Sequence, residues 1–204
     1  AVQDQLKNVV QIQATAAAFA AILLDGSVVT WGSANCGGDS SAVQDQLRGV
    51  QQIQASHRAF AAILEDGSVI TWGSANYGGD SSAARDQLRD VRQIQATQSA
   101  FAAILADGSV VTWGDAEFGG DSSAVRDELR GVQQIQASMW AFAAILADGS
   151  VVTWGDAGFG GDSSAIRDQL KGVVQIQAAG SGAFAAILQD GSVVTWGDAE
   201  RGGY

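Results

Sequence analysis

His57 is the one histidine among 204 residues and Cys36 the one cysteine, so the side chains from which catalytic sites are usually assembled are scarce. A Ser-His-Asp arrangement could be built at most once, and no nucleophile motif surrounds Ser56. Cys36 occupies a repeat position filled elsewhere by Tyr77, Phe118, Phe159 and Arg201, which argues for a tolerated substitution rather than a nucleophile. Carboxylates recur in Asp25-Gly26, Asp66-Gly67, Asp107-Gly108, Asp148-Gly149 and Asp190-Gly191. Their spacing matches neither an EF-hand nor a glycine-rich calcium repeat, and turn formation accounts for them. Gly37-Gly38 lacks the rest of a phosphate-binding motif. No catalytic residue, metal or cofactor is expected, and the chain reads as non-enzymatic.

The chemistry on offer is recognition, carried by two variable places in an otherwise fixed pattern. Phe19, Phe60, Phe101 and Phe142 recur at a spacing of 41, and Phe184 follows 42 later because Gly180-Ser181-Gly182 carries one extra residue. The repeat units are therefore 1–41, 42–82, 83–123, 124–164 and 165–204, expected to form one repeat domain. The first variable place reads Ala16-Ala17, His57-Arg58, Gln98-Ser99, Met139-Trp140 and Gly180-Ser181-Gly182; the second reads Asn35-Cys36, Asn76-Tyr77, Glu117-Phe118, Gly158-Phe159 and Glu200-Arg201. Variation confined to one face of a repeat framework is how such proteins make binding surfaces. The candidate binding residues are His57, Arg58, Tyr77, Gln98, Ser99, Phe118, Met139, Trp140, Phe159 and Arg201. They sit on a rim made acidic by Asp115, Glu117, Asp156, Asp198 and Glu200. Aromatic rings beside carboxylates favour a protein partner presenting a basic or cationic peptide.

Each unit must supply the elements that hold those loops. Val50-Gln51-Gln52-Ile53-Gln54-Ala55 alternates Gln with Ile and Ala and predicts a strand. Phe19 to Leu24 and Ser27 to Trp31 flank Asp25-Gly26, which predicts a hairpin. A two-residue turn there sets Ala20 opposite Trp31. In a three-strand meander, the loop after the first strand and the exit from the third lie at the same end. Asp39-Ser40-Ser41 before Ala42 to Leu47, with Val43 and Leu47 four apart, predicts a two-turn helix linking units. Its solvated face pairs Asp4 with Lys7, Asp45 with Arg48, Asp86 with Arg89, Asp127 with Arg130 and Asp168 with Lys171. The invariant pairs Gln11 and Gln13, Gln52 and Gln54, Gln93 and Gln95, Gln134 and Gln136, and Gln175 and Gln177 are expected to form an amide network between units.

Both faces of each hairpin are mostly apolar, so neighbouring units must cover them. The expected fold is mainly β: a five-bladed, propeller-like ring of three-stranded antiparallel sheets, each with a short connecting helix at the periphery. An open arc or solenoid of the same units is the alternative, and self-association follows if the ring is open. The stretch from Phe19 through Asp25-Gly26 to Trp31-Gly32, then Cys36-Gly37-Gly38, resembles the repeat of the regulator of chromosome condensation family. That resemblance covers every unit and implies a β-propeller used mainly for protein binding, as in large ubiquitin ligases. It implies no nucleotide-exchange activity, because no interaction residue is matched. A structural array within a larger protein such as a ubiquitin ligase is the alternative function. The chain opens at Ala1 inside the repeat pattern, so a piece of a longer array is expected.

The composition narrows the partners. With 11 basic and 22 acidic residues the formal charge is −11, which opposes direct binding to nucleic acid. No apolar run approaches the roughly 20 residues of a membrane span, and no membrane contact is expected. A single cysteine excludes an internal disulfide framework and fits a reducing, intracellular setting.

Overall fold

The computed structural model describes residues 2–204. Five three-stranded antiparallel sheets follow one another, each a simple meander. The blades are β1–β3 (Val9–Ala14, Ala18–Leu23, Val28–Gly32), β4–β6 (Val50–Ala55, Ala59–Leu64, Val69–Gly73) and β7–β9 (Val91–Ala96, Ala100–Leu105, Val110–Gly114). Blades four and five are β10–β12 (Val132–Ala137, Ala141–Leu146, Val151–Gly155) and β13–β15 (Val173–Ala179, Ala183–Leu188, Val193–Gly197). First strands touch the first strands of neighbouring blades, which places them innermost, while third strands meet the connecting turns on the outside. Among the described residues no helix is long and apolar enough to cross a membrane.

The hairpin register differs from the expected one by a residue. Phe19, not Ala20, lies opposite Trp31, and Ile22 lies opposite Val28. The cause is the turn. The Gly26 N–H donates to the Leu23 carbonyl and the Leu23 N–H to the Ser27 carbonyl, leaving three residues in the loop with Gly26 at φ 74°. This is a type I turn followed by a left-handed glycine, a common solution for three-residue hairpins. The extra residue puts Phe and Trp on the same face as a cross-strand pair, stacked with centroids 5.2 Å apart in blade three.

That shared face docks on the preceding blade. Phe60, Trp72, Ile53 and Ala62 of blade two pack against Ala18, Ala20, Ile22 and Val28 of blade one, and the same set recurs at the later junctions. Gly37 contributes directly: a Cβ there would lie 2.7 Å from the Phe60 ring, and the Trp72 Nε1–H donates to the Gly37 carbonyl at 3.0 Å. Gly37 is thus half of an interblade lock, while Gly38 packs closely on Gly32 of its own blade. The alanines of β2 and its counterparts are small because another sheet lies against them.

Two expectations need correction. The linker holds single 3-10 turns such as Gln44–Gln46 and Ser82–Ala84 instead of a two-turn α-helix: neither turn has a side-chain cap, and the Leu47 N–H returns to the Gln44 carbonyl, the i−3 bond that closes a 3-10 turn. Of the predicted i, i+3 ion pairs, Asp127 with Arg130 and Asp168 with Lys171 form on this exposed segment. The glutamine lattice reduces, among the described residues, to one contact between blades, from Gln11 Nε2 to the Ile53 carbonyl at 3.4 Å.

The outer faces of the first and last blades are open. Phe19 is 43% exposed where Phe60, Phe101 and Phe142 are 0% exposed. Within the propeller-like class, the five blades therefore take the open-arc form.

The turn aspartates make stability sensitive to acid. The Asp25 carboxylate accepts the Ser27 hydroxyl at 2.6 Å and the Ser27 N–H at 3.0 Å, and these bonds hold its pKa below the ordinary value. Asp66, Asp107, Asp148 and Asp190 repeat the arrangement. Asp39, Asp80, Asp121 and Asp162 are lowered chiefly by a backbone N–H two residues on. A folded-state pKa below the unfolded value stabilises above the unfolded value of about 3.9 and is lost as pH falls through the folded value. Melting temperature is therefore expected to drop on acidification below about pH 4, and an Asp107→Asn variant to lose less than the parent over that interval. Parallel curves for the two proteins would contradict the assignment.

Candidate functional site

Each blade brings its two variable places together at one end. The Thr97 hydroxyl donates to the Phe118 carbonyl at 2.9 Å, and the Ser56 hydroxyl to the Tyr77 carbonyl at 2.7 Å. The Asp115 N–H donates to the Ser99 carbonyl at 3.0 Å, pinning the strand exit to the first loop. Between blades, a ladder runs along the same surface: Ala16 N–H to His57 carbonyl, His57 to Gln98, Gln98 to Met139 and Met139 to Gly180, at 2.9–3.2 Å. Apart from the Thr97 and Ser56 hydroxyls, which stand outside the variable positions, these bonds are backbone to backbone, so the variable side chains change without cost to them.

The side chains then form two groups. In blade two, His57 lies 5.9 Å from the Tyr77 ring and the Arg58 guanidinium sits over that ring at 5.1 Å. In blades three to five, Trp140 is stacked between Phe118, at 4.7 Å, and Phe159, at 5.2 Å. Arg201 continues the row over Phe159 at 5.1 Å and donates to the Ser181 carbonyl. Met139 stands beside this row and is exposed. Gln98 is half-buried at the ladder. Ser99 departs from expectation: it is buried, because its backbone is held by the strand exit, and it presents nothing to solvent. Cys36 is likewise buried, packed in the first junction.

The acidic rim has a structural share. Asp115, Asp156 and Asp198 cap their 3-10 turns by accepting the N–H groups of Glu117, Gly158 and Glu200. Asp198 also pairs with Arg201 at 3.1 Å. Glu117 and Glu200 remain exposed. Among the described residues, no group of three or more His, Cys, Asp or Glu is placed to hold a metal ion.

What sequence reasoning missed is the sandwich around Trp140. Both its ring faces are covered, leaving it half-buried with Met139 exposed beside it. The signal was present in the aromatics at two successive second-site positions, Phe118 and Phe159, flanking the one loop that carries tryptophan.

No protein-family model matches the chain. No curated protein matches it either. Solved structures do. Human WBSCR16 superposes with TM-score 0.61 at 18% identity, covering 95% of this chain and 63% of that one. Yeast RCC1 (Prp20), solved bound to Kap60, gives TM-score 0.62 at 21% identity over 95% of this chain and 57% of its own. The fold is that of a β-propeller. The CRINKLY WD40 ectodomain of the Arabidopsis thaliana receptor kinase ACR4 agrees, with TM-score 0.57 at 18% identity over 93% of this chain and 63% of that one. The chain thus spans less than two thirds of the length of these neighbours.

Proposed function

We propose that this propeller is a non-enzymatic scaffold, of the regulator of chromosome condensation repeat type, that holds a cationic peptide segment of another protein on its variable face. One observation carries the reading: the unbroken stack Phe118–Trp140–Phe159, ending in a guanidinium supplied by the chain itself. Arg201 over Phe159 is the interaction a ligand Arg or Lys would make with an uncovered ring face. Glu117, exposed beside Phe118, adds a carboxylate at the other end, and the net charge of −11 favours approach of a basic segment. The yeast neighbour Prp20 lends support, as a protein solved bound to Kap60 and one with binding properties toward Gsp1p and histones.

An array of Arg- and Lys-containing peptides is expected to retain the protein, with binding that weakens as salt rises. Trp140→Ala is expected to reduce affinity for the best peptide by about 10- to 100-fold, as aromatic anchors do. Its cost to folding, the loss of two ring contacts, is about 1–2 kcal/mol. Equal retention of acidic and basic peptides, or unchanged affinity after Trp140→Ala, would sink the proposal.

A further inference from the structure

All four junctions between blades are built from the same donor and acceptor pairs. Trp72, Trp113, Trp154 and Trp196 each donate Nε1–H to a glycine carbonyl of the preceding blade, at 3.0–3.1 Å. Val50, Val91, Val132 and Val173 each donate N–H to the turn glycine of the preceding blade, at 2.8–3.0 Å. Around those bonds, Phe and Ile of the following blade seal against Ile and Val of the preceding one.

The two end faces each carry one half of that set. On blade one, Phe19 and Ile12, 43% and 53% exposed, flank the half-buried Trp31, whose Nε1–H has no acceptor among the described residues. On blade five, Ile187 and Val193 are 38% and 60% exposed, against 6% and 8% for Ile63 and Val69 inside the arc. Gly191 and Gly202, the counterparts of the glycines that accept at every junction, have nothing within 4 Å of where a Cβ would stand. One face offers donors and the other acceptors, so neither matches itself.

We propose that the first blade of one copy docks on the last blade of a second copy, forming a fifth-type junction identical in kind to the four within the chain. The argument is continuity: the occupant that fits each face is the one already fitted to it four times, and the second copy carries that occupant exposed. Such a contact is head-to-tail, and it either closes a ring or propagates.

Sedimentation or light scattering of the 204-residue chain is expected to show a mass rising with concentration above the 20.9 kDa of one copy. Phe19→Asp and Val193→Asp each block one face and are each expected to give single copies. Mixed in equal amounts, they are expected to form a one-to-one pair, because each retains the face the other lacks. A face-to-face contact between like surfaces would not produce that rescue. Circular dichroism checks folding, and Ile12→Lys replaces Phe19→Asp if the latter unfolds. A parent chain that stays at 20.9 kDa at every concentration overturns the proposal, as do variants that associate like the parent or a mixture that stays unpaired.

Discussion

In solutions dilute enough to keep copies single, Trp113→Ala is expected to destabilise the chain by about 3–5 kcal/mol, whereas Trp31→Ala should cost only about 1–2 kcal/mol. The two residues occupy the same place in their units and face the same way, stacked on Phe101 and Phe19 with centroids 5.2 Å apart. Trp113 is 5% exposed, and its Nε1–H reaches the Gly78 carbonyl at 3.0 Å in the blade before it. Truncation there empties an indole's volume from a junction that also holds Phe101, Ile94 and Leu88. It also strands a carbonyl inside the protein, which carries a penalty of its own. Trp31 is half-buried, with no preceding blade against it, so its loss empties no closed space. Denaturant melts of the two variants should separate clearly. If they coincide, the first blade's face is covered in solution, or the junctions contribute less than their packing implies.

The contrast shows where sequence reasoning succeeded and where it stopped. The period of the Phe positions made five blades legible, and the alternation in Val50 to Ala55 placed the first strand within its observed limits. The Asp25-Gly26 turn was read correctly as a hairpin but with one residue too few. A two-residue and a three-residue loop share the same dipeptide, and only the Leu23–Ser27 hydrogen bond decides between them. That single residue determines which side chains share a face, and so which blade face meets its neighbour. The helical linker was over-read because capping residues favour a first turn whether or not a second follows. The expectation that neighbouring units cover both faces of every hairpin followed from treating the units as equivalent. Repeats share a sequence, but the terminal ones have one neighbour instead of two. The candidate site was legible as a location, since the loops vary at one end, yet not as an arrangement. Nothing in spacing alone says that Trp140 would lie between two phenylalanines of different blades.

The second large effect belongs to a residue with no side chain. Gly114 ends β9 opposite Ala100 and holds φ at 103°, a region that L-residues seldom adopt. A Cβ there would stand 2.5 Å from the Ser99 carbonyl oxygen and 2.8 Å from the Ala100 Cα, both backbone atoms that cannot rotate away. Gly114→Ala is therefore expected to cost about 2–4 kcal/mol, from backbone strain together with the displacement needed to relieve the overlap. The displacement falls on a specific place. The next residue, Asp115, donates to that same Ser99 carbonyl and caps the turn carrying Phe118. Pushing the strand exit outward moves Phe118 away from Trp140, so tryptophan fluorescence and peptide affinity should change even in the fraction that stays folded. Gly180→Ala supplies the control, because Gly180 lies outside the positive-φ region and has nothing within 4 Å of its missing Cβ. It should leave both melting and binding as they are. If Gly114→Ala melts with the control, the Trp-Gly step does not require glycine, and the coupling between strand exit and aromatic row is not maintained by its backbone.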